Sequence, residues 1–241
     1  MTTIGTILPL RLDSVCYDAA GKRLIDALSL SLSSGPRTVI LGPNGAGKSL
    51  TLRLCHGLLA PTAGAIRWLG PGGAEAARRQ AMVFQRPVML RRSAAANIDY
   101  ALKLRRIPYA HRVARIREVL EETGLTPLAR HAARHLSIGE QQRLALSRAW
   151  ATAPEVLFLD EPTASLDPAA TRAVEEIISA IDLSGTKIIM TTHDLGQARR
   201  LADEIVFLHR GRLMEQRPAA EFFANPATPE AAAFVEGRLL W

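Results

Sequence analysis

The chain is organised around the run Gly42-Pro43-Asn44-Gly45-Ala46-Gly47-Lys48-Ser49. Its spacing matches the phosphate-binding loop pattern G-x-x-x-x-G-K-[ST], in which backbone N–H groups curl around a polyphosphate. Glycines suit such a loop because they adopt conformations that other residues resist, and the start of a helix favours negative charge. Lys48 would reach the β- and γ-phosphates, and Ser49 would offer its hydroxyl to Mg²⁺. The run therefore predicts a nucleotide site.

The residues on either side of this phosphate loop (residues 42–49) supply the strand and the helix that the pattern requires. Residues 38–41 are apolar and predict a buried strand, while Leu50, Leu54 and Leu58 recur at helical spacing. Residues 61–64 are expected to close that helix. A glycine-rich turn that matches the pattern by chance is the alternative, and the flanking elements disfavour it.

Length, charge and cysteine content limit what the protein can be. Its 241 residues, 48% of them hydrophobic, suit a single elaborated α/β domain. Cys16 and Cys55 lack metal spacing, which favours inert packing in a reducing, cytosolic compartment. The formal charge of +7 comes with arginines spread along the chain, so solvated arginines are favoured over a nucleic-acid surface. Because no apolar run reaches about 18 residues, any membrane role requires a partner.

Apolar patterning predicts β structure on both sides of a helical block. In the first part of the chain, strands are expected at residues 7–15, 28–32, 66–69 and 82–84. Later, residues 156–160 and 188–191 are apolar runs that flank a predicted helix at 168–181, a pattern that implies a parallel sheet. Residues 204–208 and 212–215 are expected to form a hairpin.

Residues 86–150 are predicted to be helical. Ser93 is a plausible N-cap for a helix over 94–104. A second helix would carry Val113, Ile116 and Leu120 on one face and end at Gly124, and a third would start near Ser137. After the hairpin, the tail is expected to pack aromatic side chains on the core, namely Phe222, Phe223, Phe234 and Trp241.

Polar side chains end three of the predicted buried strands. Asp160 and Glu161 follow one strand, where the first carboxylate can hold Mg²⁺ and the second can polarise a water facing the γ-phosphate. Gln85 and His193 end two others, where the amide could contact Mg²⁺ or water and the imidazole could donate to the γ-phosphate. Taken singly, such a glutamine or histidine is more often an ordinary surface or loop residue, so the hypothesis depends on their joint occurrence.

One further run connects these features: Leu136-Ser137-Ile138-Gly139-Glu140-Gln141-Gln142-Arg143. Together with the phosphate loop, the strand-end residues and Ser165-Leu166-Asp167, it resembles the ATP-binding-cassette (ABC) ATPases over nearly the whole chain. The resemblance implies an α/β fold, with a P-loop NTPase (RecA-like) core, a mostly parallel sheet, an N-terminal antiparallel β-subdomain and an inserted helical subdomain. It implies one domain over 1–241, with 8–84 and 151–241 as the core and 86–150 as the insertion.

The resemblance also implies cofactors and site residues. ATP and Mg²⁺ are the cofactors, the catalytic residues are Glu161, His193 and Gln85, and the metal ligands are Ser49, Gln85 and Asp160. Nucleotide contacts would fall on Tyr17, Gly42, Pro43, Asn44, Gly45, Ala46, Gly47, Lys48, Ser49, Leu50, Ser137, Gly139, Glu140 and Asp167. Two copies would pair head to tail, so that Ser137 and Gly139 of one copy close over the γ-phosphate held by the other. Tyr17 would stack on adenine, although a tyrosine packed on its own sheet is the rival interpretation.

Two positions depart from the commonest family pattern. Ile138 replaces the first of two paired glycines, which removes freedom at positive φ unless its side chain turns outward. Leu50 stands where a threonine is common, so a hydroxyl contact to the α-phosphate is lost while the backbone N–H remains. Nucleotide binding is expected to survive both changes.

Within the family, the chain looks like the separate ATPase subunit of a transporter, peripheral at the cytoplasmic face of the cell membrane. The helical block would dock a membrane permease through residues 86–92 and Tyr100, and a periplasmic or extracellular solute-binding protein would be an indirect partner. Residues 83–93 and 234–241 are similar to the ATPases of tungstate importers. Phosphate or molybdate importers, exporters, a soluble nucleic-acid-associated ATPase and a regulatory module without turnover remain the alternatives, and no nucleic-acid partner is expected.

Overall fold

The structure is a computed structural model that describes residues 5–238. Its strands form two sheets, and in chain order they are β1 Leu10–Ala19, β2 Lys22–Leu32, β3 Thr38–Leu41, β4 Ala63–Trp68, β5 Gln80–Val83, β6 Val156–Asp160, β7 Lys187–Thr192, β8 Glu204–His209 and β9 Arg212–Pro218. The helices are α1 Lys48–His56, α2 Ala76–Arg79, α3 Ala94–Leu104, α4 Tyr109–Glu122, α5 Ile138–Trp150, α6 Pro168–Leu183, α7 Leu195–Leu201, α8 Ala219–Ala224 and α9 Pro229–Val235.

The larger sheet has the order β5-β6-β7-β3-β8-β9. Its neighbouring strands run parallel, except that β9 is antiparallel to β8. Strands β3, β6 and β7 are buried at every residue, which explains why the sequence shows apolar runs there instead of alternation. The smaller sheet is antiparallel, in the order β2-β1-β4. The predicted α/β class, the mostly parallel sheet and the antiparallel N-terminal sheet are confirmed.

The two faces of the larger sheet bury two separate apolar clusters. Val39 and Leu41 of β3 face the cluster that includes α5, α6 and the helices between β5 and β6. Ile40, between them, faces the other cluster, which joins α1 and the smaller sheet. This alternation follows from the two-residue period of a strand. The phosphate loop emerges where β3 ends, between these layers.

The helical block lies between β5 and β6 in sequence and is tied to the chain that follows Gln85. Ser93 caps α3 by accepting from the Ala96 N–H, as predicted from the sequence. Asn97 is fully buried, accepts from the Leu90 N–H at 3.0 Å and donates to the Ser93 carbonyl at 2.9 Å. The loop after Gln85 is therefore held to α3 by the hydrogen bonds of one buried amide.

Several boundaries differ from those expected. The helix after the phosphate loop ends at His56, because Gly57 adopts a left-handed conformation (φ 84°) and donates its N–H back into the last turn. Residues 61–64 do not close it, and Ala63 already belongs to β4. Val113 was expected on the apolar face of its helix but is 42% exposed, and Val119 is buried instead. The sequence prediction also omitted α2 and α7.

The tail packs its aromatic side chains as predicted. The rings of Phe222 and Phe234 lie 5.8 and 5.3 Å from that of Phe207 in β8, and Phe223 stands edge-on to Phe222. Trp241 lies outside the described residues. Between residues 5 and 238, no helix combines the length and the apolar character needed to cross a bilayer.

Both cysteines are buried in the core, as expected of inert thiols. Burial raises the pKa of the Cys55 thiol to about 12, so this thiol is protonated at neutral pH.

Candidate nucleotide site

The phosphate loop joins β3 to α1 in a conformation that only glycine allows at two points. Gly47 has φ 98°, immediately before the first residue of α1, and a Cβ there would lie 2.6 Å from Ile25 Cδ1. A Cβ on Gly42 would lie 2.2 Å from the Leu208 carbonyl oxygen. At Gly42 the backbone of β8 therefore approaches too closely for a side chain, whereas at Gly47 the positive φ is what favours glycine. The loop wraps the start of α1, where free backbone N–H groups favour an anion.

Lys48 lies at the centre of the loop and is 5% exposed. Its ammonium donates to the carbonyls of Gly42 and Pro43 at 2.8 and 3.1 Å, and lies 3.7 Å from Glu161 Oε1. Burial lowers the pKa of Lys48, while the Glu161 carboxylate acts in the opposite direction. The ammonium is held inside the loop, where it can meet a phosphate group.

Asp160 ends β6 directly beside the phosphate loop. Its Oδ1 accepts from the Ser49 hydroxyl at 2.6 Å and from the Thr191 hydroxyl at 3.0 Å. Its Oδ2 lies 3.8 Å from the Arg53 guanidinium. The buried carboxylate thus has hydrogen-bond partners from α1 and β7.

Glu161 follows at the turn out of β6, with an unusual backbone conformation. Its φ is +45°, in the left-handed region that residues other than glycine seldom adopt. Its carboxylate lies between Lys48 and His193, whose Nδ1 is 3.2 Å from Oε2. A carboxylate held beside an ammonium and an imidazole, at the mouth of the loop, is placed to act on a water next to a bound phosphate.

One cavity of about 530 Å³ brings the loop and three of the strand-end residues together. It is lined by Leu24, Asn44, Gly45, Gly47, Lys48, Ser49, Leu50, Gln85, Glu161 and His193. Asp160 lies behind Ser49, while Gly42, Pro43 and Ala46 form the rest of the loop. Leu24 was missed by sequence reasoning, because a leucine in an alternating strand carries no signal of a ligand. It lies there because the next residue, Ile25, packs against Gly47.

The oxygen atoms near this cavity suit Mg²⁺. The Ser49 hydroxyl, the Asp160 carboxylate and the Gln85 amide are hard donors, and Mg²⁺ is typically bound through one or two protein groups with phosphate and water completing its shell. No cluster of three histidine, cysteine or acidic residues with metal-binding geometry occurs in the part of the chain that the structure describes. The residues therefore fit a nucleotide-bound Mg²⁺.

The run over residues 136–143, called the signature from here on, lies outside this cavity, at the start of α5. The Ser137 side chain caps the helix by accepting from the Glu140 N–H at 3.3 Å, and the Glu140 carboxylate accepts from the Ser137 N–H at 2.7 Å. Ile138 is 64% exposed and is the first residue of α5, so a helical backbone accommodates its side chain. The loss of a glycine there therefore introduces no backbone strain.

Gly139 and Asp167 both lie beside Ala170, where α5 approaches α6. A Cβ on Gly139 would lie 2.9 Å from the Cβ of Ala170, so this glycine permits a close helix approach. Asp167 caps α6 by accepting from the Ala170 N–H at 2.9 Å. Both residues have a structural role within one chain, in addition to the nucleotide contact expected of them.

Tyr17 also lies outside the lining of the cavity. It is half-buried in β1, pairs with Ile25 of β2 and packs against the apolar cluster of the smaller sheet. It therefore lies one strand away from the residue that packs on Gly47. This placement is compatible with adenine stacking and with a tyrosine that packs on its own sheet.

The sequence profile of the ABC transporter family matches residues 25–164. A tungstate uptake system ATP-binding protein, TupC of Peptoclostridium acidaminophilum, is 41% identical over 196 residues, which span 81% of this chain and 92% of that protein. The methionine import ATP-binding protein MetN of Nocardia farcinica is 39% identical over 90% of this chain and 69% of its own length. The phosphate import ATP-binding protein PstB 2 of Natronomonas pharaonis is 34% identical over 94% of this chain and 86% of its own length.

Solved structures show the same fold. The ATP binding subunit of an ABC transporter superposes with a TM-score of 0.79 at 25% identity, covering 95% of this chain and 99% of its own. The cbiO1 protein of Clostridium perfringens, part of the ABC transporter complex cbiONQ, gives a TM-score of 0.80 at 26% identity, covering 95% of both chains.

Proposed function

Because the chain belongs to the ABC transporter family and is an ATPase of that family, we propose that it powers solute import through a separate membrane permease. The observation that carries this proposal is the cavity shared by the phosphate loop, Gln85, Glu161 and His193. Fold and family support ATP as the nucleotide. The site assignments below are part of the same proposal.

In this proposal the phosphate loop binds the ATP phosphates through its N–H groups and Lys48. The Lys48 ammonium already donates to two loop carbonyls, so it is held in position before the phosphate arrives. Ser49, Asp160 and Gln85 would hold Mg²⁺, which would supply positive charge next to the phosphates. Tyr17 supplies a stacking face for adenine.

Glu161 is the proposed general base. Asp160 is committed to Ser49 and Thr191, whereas the Glu161 carboxylate opens onto the cavity and can orient or deprotonate a water. In this proposal His193, whose Nδ1 lies 3.2 Å from Glu161 Oε2, donates a hydrogen bond to the γ-phosphate. The support for these roles is that Glu161, His193 and Lys48 line the same cavity.

The proposed permease contact is a groove next to the loop that follows Gln85. This cavity of about 370 Å³ includes Met82, Leu90, Tyr100 and Leu104, so its walls are largely apolar. The Arg148 guanidinium of α5 donates to the Val88 carbonyl at 2.9 Å. This hydrogen bond links α5 to the loop that follows Gln85. A change at Gln85 on ATP binding would thus be transmitted to whatever occupies the groove.

Tungstate is the proposed solute. The support is the match to TupC over 92% of that protein. The sequence of residues 83–93 also resembles that of tungstate-importer ATPases. Methionine and phosphate import are the alternatives that the other relatives favour. The complete importer would place this subunit at the cytoplasmic face of the membrane, with a solute-binding protein on the opposite side.

The test compares the parental chain with Glu161→Gln, both purified and as the sole copy in cells. The variant should bind ATP normally and lose roughly 10²- to 10⁴-fold in turnover, because the base is gone while the loop is intact. Lys48→Ala, as the contrasting variant, should weaken ATP binding itself. Cells with Glu161→Gln should lose uptake of tungstate and keep that of molybdate, phosphate and methionine.

Near-normal turnover of Glu161→Gln with its permease would remove Glu161 from the role of base. Normal tungstate uptake with loss of another solute would keep the importer and reassign what it carries.

A further inference from the structure

Thr191 joins the two consecutive acidic residues at the end of β6. It lies on β7 directly opposite Asp160 in the parallel pair and is fully buried. Its hydroxyl donates to Asp160 Oδ1 at 3.0 Å and accepts from the Glu161 backbone N–H at 2.9 Å. A threonine hydroxyl has one hydrogen to donate. The Thr191 hydroxyl donates this hydrogen to the Asp160 carboxylate, and its oxygen accepts a hydrogen bond from the backbone N–H of Glu161.

The Glu161 backbone needs such a partner. At φ +45° this residue has a conformation that costs free energy unless surrounding contacts fix it. The Thr191 hydroxyl accepts from the Glu161 N–H and fixes it in place. His193, two residues after Thr191, contacts the Glu161 carboxylate. The end of β7 therefore holds Glu161 at both its backbone and its side chain.

Packing alone does not explain a hydroxyl at this position. Ile189 and Met190 before it are buried and apolar, and valine has the shape of threonine without the hydroxyl. Thr192 after it is also buried, but its hydroxyl has a different partner, the Asp194 N–H. What valine would lack is the link between Asp160 and Glu161. The hydroxyl also shares Oδ1 of Asp160 with Ser49, so it helps to fix the carboxylate proposed to hold Mg²⁺.

We infer that Thr191 is a positioning residue for ATP hydrolysis, which orients Asp160 and holds the turn that presents Glu161. This inference rests on the proposed role of Glu161 as the base. Thr191 itself lies behind both carboxylate residues and acts through them. Its removal should therefore lower the rate of the chemical step and leave ATP binding by the phosphate loop unchanged.

The experiment uses Thr191→Val, Thr191→Ser and a matched control, Thr38→Val. Thr38 is also fully buried in the same sheet and donates to Glu204 at 2.8 Å, but it begins β3 whereas the phosphate loop follows the end of that strand. Thr191→Val should lower kcat about tenfold, a change equivalent to the loss of one hydrogen bond. Its KM and its ATP affinity measured in EDTA should stay within about twofold of the parent.

Thr191→Ser should recover most of the lost kcat, and Thr38→Val should keep the parental kcat even if its unfolding free energy falls. Thermal unfolding of all variants checks that they fold. If Thr191→Val does not fold, Thr191→Ala is used in its place. A kcat of Thr191→Val within twofold of the parent would overturn the inference, as would a serine variant as slow as valine.

The Glu161→Gln measurement separates this inference from the proposed function. If Glu161→Gln is inactive and Thr191→Val is fully active, only the positioning role fails. If Glu161→Gln keeps its turnover, the proposed base fails, and with it the role of Thr191 in presenting that base.

Discussion

Tyr17 has two possible roles, stacking on the adenine of a bound nucleotide or packing on its own sheet, and ATP binding distinguishes them. Its ring lies half-buried on β1, beside the strand that packs on the phosphate loop. If it stacks on adenine, Tyr17→Ala should cost about 1–3 kcal/mol of ATP binding free energy, while Tyr17→Phe should cost little. Calorimetric titration of ATP into each variant measures both. Equal affinities for Tyr17→Ala and the parent would show that this side chain only packs on its sheet.

At the scale of residues, the sequence predicted the positions of the functional side chains better than the contacts between them. The strand-end positions of Asp160, Glu161 and His193 could be read from apolar runs, because a strand that is buried on both faces has few polar residues before it ends. The strand predicted to end at Gln85 stops at Val83 instead, and Phe84 after it is 40% exposed. The link from Thr191 to Asp160 and Glu161 could not be read. It depends on the register between β6 and β7, and a threonine in a buried strand looks like an ordinary β-branched residue.

At the scale of elements, the larger sheet separates a buried lysine from the nucleotide site. Lys187 begins β7, donates to Thr38 Oγ1 at 2.9 Å and also contacts the Pro36 carbonyl. Burial lowers its pKa from 10.5 to about 8, although the carboxylates of Glu204, Asp182 and Asp203 oppose this shift. The start of β7 therefore contains a lysine whose charged form is destabilised by burial.

This lysine predicts a pH dependence of stability. Between pH 8 and 10.5 the folded chain has released the Lys187 proton while the unfolded chain still binds it, so the Lys187 contribution to the free energy of unfolding should rise with pH. Above pH 9 the raised pKa of the Cys55 thiol acts in the opposite direction, so the rise should be clearest between pH 8 and 9. The contribution is at most about 1.4 kcal/mol per pH unit. In urea unfolding at several pH values, Lys187→Met should lose this rise and the exposed-site control Lys22→Met should keep it. The same slope in Lys187→Met and the parent would contradict the prediction.

Elements with a strong local signal were predicted well, and weakly marked ones were not. Ser93 caps α3 at the expected position, because capping chemistry is local. Helix α6 begins at Pro168 as expected, although its cap, Asp167, was not predicted as one. The end of α1 was placed too late, since the leucine spacing continues past Gly57 into an exposed turn. Helix α7 was missed because its few turns have little periodicity.

At the scale of the whole molecule, the two proposed halves of the nucleotide site do not meet within one chain. The phosphate loop lies at the end of β3, whereas Ser137 and Gly139 begin α5 outside the cavity. Ser137 and Gly139 already have structural partners within the chain, and Ile138 beside them faces solvent. Head-to-tail pairing of two copies would place each signature over the other copy's phosphates, a closed arrangement with two-fold symmetry.

The most direct test of this account is sedimentation of Glu161→Gln with and without saturating ATP and Mg²⁺, in the presence of its permease. ATP should convert monomers into dimers, because it supplies the negative charge that both half-sites bind. A second substitution in the Glu161→Gln chain, either Ser137→Arg or Lys48→Ala, should abolish the dimer. An equal mixture of the two double variants should recover part of it, because each mixed dimer has one intact shared site. A Glu161→Gln chain that stays monomeric at saturating ATP would contradict the account.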